Sequence, residues 1–102
     1  MKLLIITSLK EDLSAISKFL KVAKIEVFSV SKTTGMKLSD GSDLLEDWFG
    51  SHGGDFDSIF LFSFTDDDKA GKTLGLVESY NKNHDTGFPI RAFILPVDRS
   101  NQ

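Results

Sequence analysis

The chain has 102 residues, of which 40% are hydrophobic and 26% are charged. These proportions are those of ordinary globular proteins, so they exclude extended disorder, and the length predicts one domain over residues 1–102. A net charge of −3 offers no basic excess for a nucleic-acid backbone, and the absence of cysteine excludes disulfides and thiolate metal sites. There is neither a membrane-spanning apolar run nor a signal-peptide pattern, which favours a cytoplasmic protein without membrane insertion.

The first half of the chain predicts a strand, a helix and a second strand. Residues 3–7 form a short apolar run that is typical of a buried strand. Ser8 and Glu11 have the spacing of a capping box, and apolar residues then recur at helical intervals as far as residues 22–24. Residues 25–31 are predicted to form the second strand.

The second half predicts a strand, a helix and a last strand. Residues 57–64 form the clearest strand of the chain, and Thr65 or Asp66 is expected to cap the helix that follows. The inner stripe of this helix is predicted to be Ala70, Leu74 and Val77. Residues 88–97 complete the pattern. The fold class is therefore α+β: a ferredoxin-like βαββαβ sandwich, with two helices on one face of a four-stranded antiparallel sheet.

The predicted strands are apolar on both faces. In the third strand, Phe60, Phe62 and Phe64 alternate with Ile59 and Leu61. Two helices cover only one face of the sheet, so the second apolar face needs a partner, and we expect self-association. The alternative, that the long loop before this strand folds back over the face, stays open.

A long loop is predicted over about residues 32–56, and loops of that length are usually functional. From Leu38 to Asp68 there are nine acidic residues and no Lys or Arg. Trp48 and Phe49 lie in a short amphipathic segment of this loop, which suits docking onto a protein partner. Packing of both rings against the protein's own body is the alternative.

This layout resembles that of the PII-like signalling proteins, the superfamily of the nitrogen regulatory protein PII. The closing sequence Ala-Phe-Ile-Leu-Pro-Val-Asp-Arg, at residues 92–99, is similar to the last core strand of that family. The resemblance implies a homotrimer whose sheets pack inward. It also implies sensing of a small molecule, such as a nucleotide, at clefts between subunits. The long loop, called the T-loop in that family, would signal to a protein partner such as a transporter or an enzyme.

The resemblance also implies a set of ligand-binding residues. Gly35 matches the glycine at the base of the family's loop, Arg91 falls where the family places a phosphate-contacting lysine, and Thr65 lies near the same cleft. Lys37 and Arg91 are suited to phosphate, because charge-assisted hydrogen bonds to phosphate oxygens are strong. For Arg91, the alternative is a solvated strand residue that pairs with a nearby acid.

A metal-responsive protein is the second interpretation. His52 and the acidic residues around it can ligate a divalent ion, since imidazole and carboxylate groups suit such metals, and trimers of the CutA-like copper-tolerance type share this plan. The spacing is not diagnostic, and a solvated acidic loop explains the same residues. No nucleophile, base and orienting group can be assigned, so we do not expect an enzyme. A small ferredoxin-like enzyme is the remaining alternative.

Overall fold

The computed structural model describes residues 1–37, 54–84 and 87–101. In chain order the elements are β1 (Lys2–Leu9), a short 3-10 helix (Lys10–Asp12), α1 (Leu13–Val22), β2 (Ser29–Lys37), β3 (Gly54–Thr65), α2 (Asp67–Asn83) and β4 (Arg91–Pro96). All strand pairs are antiparallel, and the order across the sheet is β2-β3-β1-β4. The predicted α+β, ferredoxin-like architecture is therefore confirmed.

Both helices contribute to the core on one face of the sheet. Its most buried side chains come from β1, β3, α1 and α2, and they include Leu4, Ile6, Ile59, Leu61, Ile16, Leu20 and Val77. Burial of each such aliphatic side chain contributes about 1.5–3 kcal/mol relative to exposure. Burial alternates along β1, as expected for a strand with one covered face. Within the described ranges, neither helix combines the length and the apolar composition needed to cross a membrane.

The predicted capping box at the start of α1 is wrong. Ser8 belongs to β1, and its hydroxyl donates a hydrogen bond of 2.8 Å to the carbonyl of Leu9. Because the strand runs to Leu9, the chain turns through a short 3-10 helix before α1 begins at Leu13. Glu11 lies in that turn rather than at the third position of a capped helix.

The end of α1 is a Schellman motif. The amide of Ile25 donates to the carbonyl of Leu20 at 2.9 Å, and the amide of Lys24 donates to that of Lys21 at 3.1 Å. Lys24 has a φ of 64°, in the left-handed region that usually holds glycine. Ile25 and Leu20 are both buried, which supplies the apolar contact that accompanies this motif.

The start of α2 is as predicted, but its buried stripe differs. Asp66 caps the helix, since its carboxylate accepts a hydrogen bond of 2.8 Å from the amide of Lys69. The buried side chains of the helix are Ala70, Thr73 and Val77, so Thr73 takes the place predicted for Leu74. The Thr73 hydroxyl donates to the Lys69 carbonyl at 2.9 Å, which allows a polar side chain to be buried there.

The second strand lies further along the chain than predicted. It spans Ser29–Lys37 rather than residues 25–31, and it is almost entirely exposed. Residues 32–37 and 54–56 of the predicted loop therefore belong to β2 and β3, while residues 38–53 lie outside the described residues.

The face of the sheet away from the helices carries two apolar rows. Phe64, Leu3 and Leu95 are opposite one another across β3, β1 and β4, and so are Phe62, Ile5 and Phe93. We call these six residues, with Phe60, the open face. The rings of Phe60, Phe62 and Phe64 follow one another along β3 with centroids 6.2 Å apart at each step. Phe64 is 58% exposed and Leu95 40%, so this face presents a continuous apolar surface.

Candidate functional site

A two-stranded ribbon extends past the end of β1. The last residue of β1, Leu9, pairs with Ser58 of β3. Beyond that point, residues 54–57 of β3 pair only with residues 34–37 of β2. We call these two paired segments the ribbon. The base of the ribbon is the point at which β1 ends and no longer pairs with β3.

A cavity of about 230 Å³ lies at this base, and we call it the ribbon-base cavity. Its lining comes from β1, β2, β3 and the segment before β4: Thr7, Ser8, Leu9, Thr33, Thr34, Phe56, Ser58, Ile59, Phe60, Phe88 and Pro89. None of these side chains is ionisable. Among the described residues, the cavity is therefore bounded by aromatic and aliphatic groups with a few hydroxyls.

An aromatic pair forms one wall of the cavity. The rings of Phe56 and Phe88 are tilted, with centroids 5.2 Å apart. Phe56 is opposite Gly35 in the ribbon, and a Cβ at Gly35 would overlap the Phe56 ring. Glycine is therefore required at position 35, because its bare α-carbon lets the ring lie across the neighbouring strand.

The hydroxyl groups of the lining fall into two kinds. Those of Thr33 and Ser58 are hydrogen-bonded to each other at 2.7 Å, and Ser8 is engaged with Leu9. Thr7 and Thr34 have no hydrogen-bond partner among the described residues. Thr34 pairs with Asp57, so its side chain lies on the opposite face of the sheet from Phe56, Ser58 and Phe60. Of the two hydroxyls, only that of Thr7 is therefore on the face of the aromatic wall.

The predicted ligand residues lie in different parts of the sheet. Gly35 and Lys37 are in the ribbon, opposite Phe56 and Gly54. Arg91 begins β4 on the other edge of the sheet, opposite Thr7 of β1. Gly35 and Arg91 thus lie at the same end of the sheet, on opposite sides of the ribbon-base cavity, although neither lines it.

Thr65 lies at the other end of the sheet. It pairs with Lys2 at the start of β1, five residues before Thr7, and this separates it from Arg91 by roughly 17 Å along the strand. Thr65 lines a shallow depression together with Lys24 and Lys69. Within one subunit, the structure therefore does not bring Thr65 together with Gly35, Lys37 and Arg91.

The remaining predictions concern the partner-binding loop and the metal candidate. Trp48 and Phe49, predicted to contact a partner, and His52, the metal candidate, all lie outside the described residues. In the part of the chain that is described, no three His, Cys, Asp or Glu side chains come close enough to hold a metal ion. The metal interpretation thus rests on the sequence alone.

A polar cluster lies behind the aromatic wall, between the start of α1 and the end of α2. The His84 ring is stacked on Tyr80 with centroids 3.9 Å apart, and Tyr80 donates a hydrogen bond to the Asp12 carboxylate. Burial raises the pKa of Asp12, and the charge of Glu11 adds to this, whereas the Tyr80 hydrogen bond and His84 oppose it. Phe88 lines both the ribbon-base cavity and a small depression bounded by Asp12, Tyr80 and His84.

The segment before β4 is fixed to α2 by one side chain. Asn81 donates to the carbonyl of Ile90 at 2.8 Å and accepts from the amide of Ile90 at 3.0 Å. These paired hydrogen bonds hold the chain where it leaves the aromatic wall, so they contribute to the position of Phe88.

The sequence did not identify the residues that form the cavity. Thr33 and Thr34 directly precede Gly35, and a pair of hydroxyls beside the glycine was the one local signal available. Thr7, Ser58 and Phe88 come together only through strand register, which no spacing along the chain encodes.

The architecture defines the class of protein only at the level of fold. No family model matches the sequence, and no curated protein matches it either. Among solved structures, the chain is similar to a candidate PII-like signalling protein from Thermus thermophilus. The TM-score is 0.62 at 13% identity, and the match covers 91% of this chain and 82% of that one. At this identity the likeness concerns the fold alone, and this chain has a PII-like, ferredoxin-like fold.

Proposed function

We propose that this chain is a PII-like signalling protein. It forms a homotrimer through the open face, senses a small molecule at the clefts between subunits, and signals to a protein partner, such as a transporter or an enzyme, through residues 38–53. The proposal makes it a cytoplasmic regulator without catalytic residues. The PII-like fold supports this function, and the observation that carries it is the open face, since apolar surfaces of this extent mark interfaces.

The proposed clefts account for the separation of the ligand residues. Gly35, Lys37 and Arg91 lie at one end of the sheet, and Thr65 lies at the other. In a ring of three subunits, one end of each sheet can meet the other end of its neighbour, so a cleft can draw on both groups. The trimer itself comes from the resemblance to PII-like proteins.

The assembly is tested by light scattering on the eluting protein. The expected mass is three times the chain mass of 11.3 kDa. Phe64→Ser should dissociate the trimer, because Phe64 is the most exposed ring of the open face. Val22→Ser is the matched control, since Val22 is similarly exposed, at 53%, but lies on α1. A monomer at micromolar concentration, or equal effects of the two variants, would contradict the proposal.

The sensing function is tested by calorimetry with adenine nucleotides, and then with copper and zinc. We expect saturable nucleotide binding at one site per subunit that Arg91→Ala abolishes. Trp48 is the only tryptophan, so its fluorescence reports on the long loop without a label. A change in Trp48 emission on ligand binding is expected if the loop responds. Metal binding without nucleotide binding would instead support the metal-responsive interpretation.

A further inference from the structure

We infer that a basic groove beside α1 binds residues 38–53 of a second copy of this chain. The groove, which we call the α1 groove, has a volume of about 430 Å³ and is formed by α1 and the segment that leads into β2. Its lining is Ser17, Lys21, Lys24, Ile25, Glu26 and Phe28. This inference goes beyond the proposed function, because it gives residues 38–53 a binding surface on the chain itself. That surface and a protein partner would compete for the same residues.

The α1 groove has an apolar floor and a basic rim. Ile25 is buried in the core and Phe28 is half-buried against it, so these two side chains form the floor. The rim carries two exposed lysines, Lys21 and Lys24, and a single acidic residue, Glu26. An apolar centre with a charged rim is the usual anatomy of a protein-binding surface. The groove therefore suits a segment that brings both apolar and acidic side chains.

The charge of α1 is opposite in sign to that of the whole chain. Residues 13–25 contain three lysines and no acidic residue, whereas the net charge of the protein is −3. The side chains of Lys18, Lys21 and Lys24 are exposed and have no ion-pair partner among the described residues. Val22, which lies between them, is 53% exposed. The surface around the groove is therefore basic and partly apolar, and it favours an acidic partner with apolar side chains.

Residues 38–53 have the complementary composition. They contain four acidic residues and no Lys or Arg, and large apolar residues lie among the acids in the sequence. These acidic and apolar residues are Asp40, Asp43, Leu44, Leu45, Glu46, Asp47, Trp48 and Phe49. Opposite charges favour the encounter of two surfaces, and large aromatic side chains contribute most of the binding energy at such contacts. The acids would face the lysine rim, and the apolar side chains would cover Val22 and the floor of the groove.

The segment is too short to fill the groove of its own chain. It begins and ends next to Lys37 and Gly54, which pair with each other at the far end of the ribbon. The groove lies beyond the opposite end of β2, and Ser29 is about 26 Å from Lys37 along the strand, at about 3.3 Å per residue. Residues 38–53, with their ends held together, reach at most about 26–29 Å when fully extended. Only the middle of the segment would meet the near edge of the groove, so the occupant comes from a second copy.

The test is an amide chemical-shift titration of the full chain with a synthetic peptide of residues 38–53. Saturable shifts are expected in residues 17–28. The double substitution Lys21→Glu and Lys24→Glu, called the reversed groove, should weaken peptide binding by roughly tenfold, because two attractive charges become repulsive. Lys10→Glu with Lys82→Glu is the matched control. Both of these lysines are exposed and lie outside the groove, and their replacement changes the net charge equally.

A charge swap separates recognition from loss of folded structure. A peptide that carries Asp43→Lys and Glu46→Lys should bind the wild type weakly and should bind the reversed groove more tightly than the natural peptide does. Added salt should weaken the wild-type complex, because it screens exposed charges. Equal binding of a scrambled peptide of the same composition would overturn the inference. Binding to phosphatidylserine vesicles without peptide binding would overturn it as well and would identify a lipid surface instead.

The full chain tests whether the occupant is a second copy. Trp48 is the only tryptophan, so its emission should shift to longer wavelength in the reversed groove but not in the control variant. Unchanged Trp48 emission in the reversed groove would overturn the inference. A trimer that binds no peptide would overturn the inference and leave the proposed function standing. Peptide binding by a monomeric protein would support the inference and contradict the proposed assembly.

Discussion

The ring of Phe56 lies against the α-carbon of Gly35, its partner across the β2–β3 ribbon. A side chain at position 35 and the aromatic ring cannot both occupy this space. Gly35 has no positive φ in this structure, so its role is steric rather than conformational. The glycine and the aromatic wall of the ribbon-base cavity are therefore two parts of one packing arrangement.

Gly35→Ala should destabilise the protein by about 1–3 kcal/mol, because the added methyl overlaps the Phe56 ring. The free energy of unfolding in urea measures this loss. In a protein that already carries Phe56→Ala, Gly35→Ala should lower the free energy of unfolding much less, because the ring that the methyl overlaps is absent. The double-mutant cycle therefore isolates the energy of the clash. Gly71→Ala is the control: its Cβ meets open space on α2, so it should stabilise by up to about 1 kcal/mol. Additive effects at positions 35 and 56 would contradict this explanation.

Lys24→Gly should stabilise the protein by about 0.5–1 kcal/mol, because Lys24 holds a left-handed conformation at the end of α1. The Schellman hydrogen bonds there are made by backbone groups, so glycine retains them. Thermal unfolding measures the gain. Lys21→Gly, inside the last turn of the same helix, should instead lower the free energy of unfolding by about 1 kcal/mol. The prediction fails if both substitutions destabilise equally.

Asn81→Ala should cost roughly 1–3 kcal/mol, because it leaves both the amide and the carbonyl of Ile90 without their partner. Ile90 is buried, so water does not readily replace the side chain. Chemical denaturation measures the change. Asn83→Ala removes a single exposed hydrogen bond to Ser79 and should change stability by less than about 0.5 kcal/mol. Similar losses of stability in the two variants would show that the paired hydrogen bonds at Ile90 contribute no more than a single exposed one.

Asp12→Asn should flatten the dependence of stability on pH in the acidic range. Burial raises the pKa of Asp12 in the folded state above its ordinary value of 3.8. The folded protein therefore binds more protons than the unfolded chain between those two values. Its free energy of unfolding rises, through this group, as the pH falls across that interval. Asparagine removes this contribution, which urea denaturation at a series of pH values detects.

Tyr80→Phe provides the companion measurement on the same carboxyl group. It removes the hydrogen bond that lowers the pKa of Asp12, so the pH-dependent interval should extend upward. Parallel pH profiles for the wild type, Asp12→Asn and Tyr80→Phe would rule out Asp12 as the source of the dependence.

The fold could be predicted where apolar residues dominate a segment. β1 and β3 are buried on one face and apolar on the other, so their positions follow from composition. β2 was misplaced because Ile25 is buried in the turn after α1, whereas the strand itself is polar and exposed. An exposed edge strand is held by backbone hydrogen bonds to β3, and these leave little trace in hydrophobic periodicity.

The site was less predictable than the fold. Gly35 and Arg91 were selected by resemblance, and they border the cavity without lining it. The cavity depends on which residues of separate strands stand opposite one another, such as Thr7 and Phe60. A one-residue change in register would turn each of those side chains to the other face, so only the assembled sheet determines the lining.

The ribbon projects from the sheet, and the ribbon-base cavity lies at the point where the projection begins. From Thr34 to Lys37 it extends about 10 Å past the point where β1 stops, at about 3.3 Å per residue. A tilt of about ten degrees at the base would therefore swing its far end by roughly 2 Å, with the strand rise as the arm. Phe56, which lines the cavity, belongs to the ribbon itself. A change in packing around Phe56 would thus produce a displacement at Lys37 and Gly54, where the chain leads into its acidic segment.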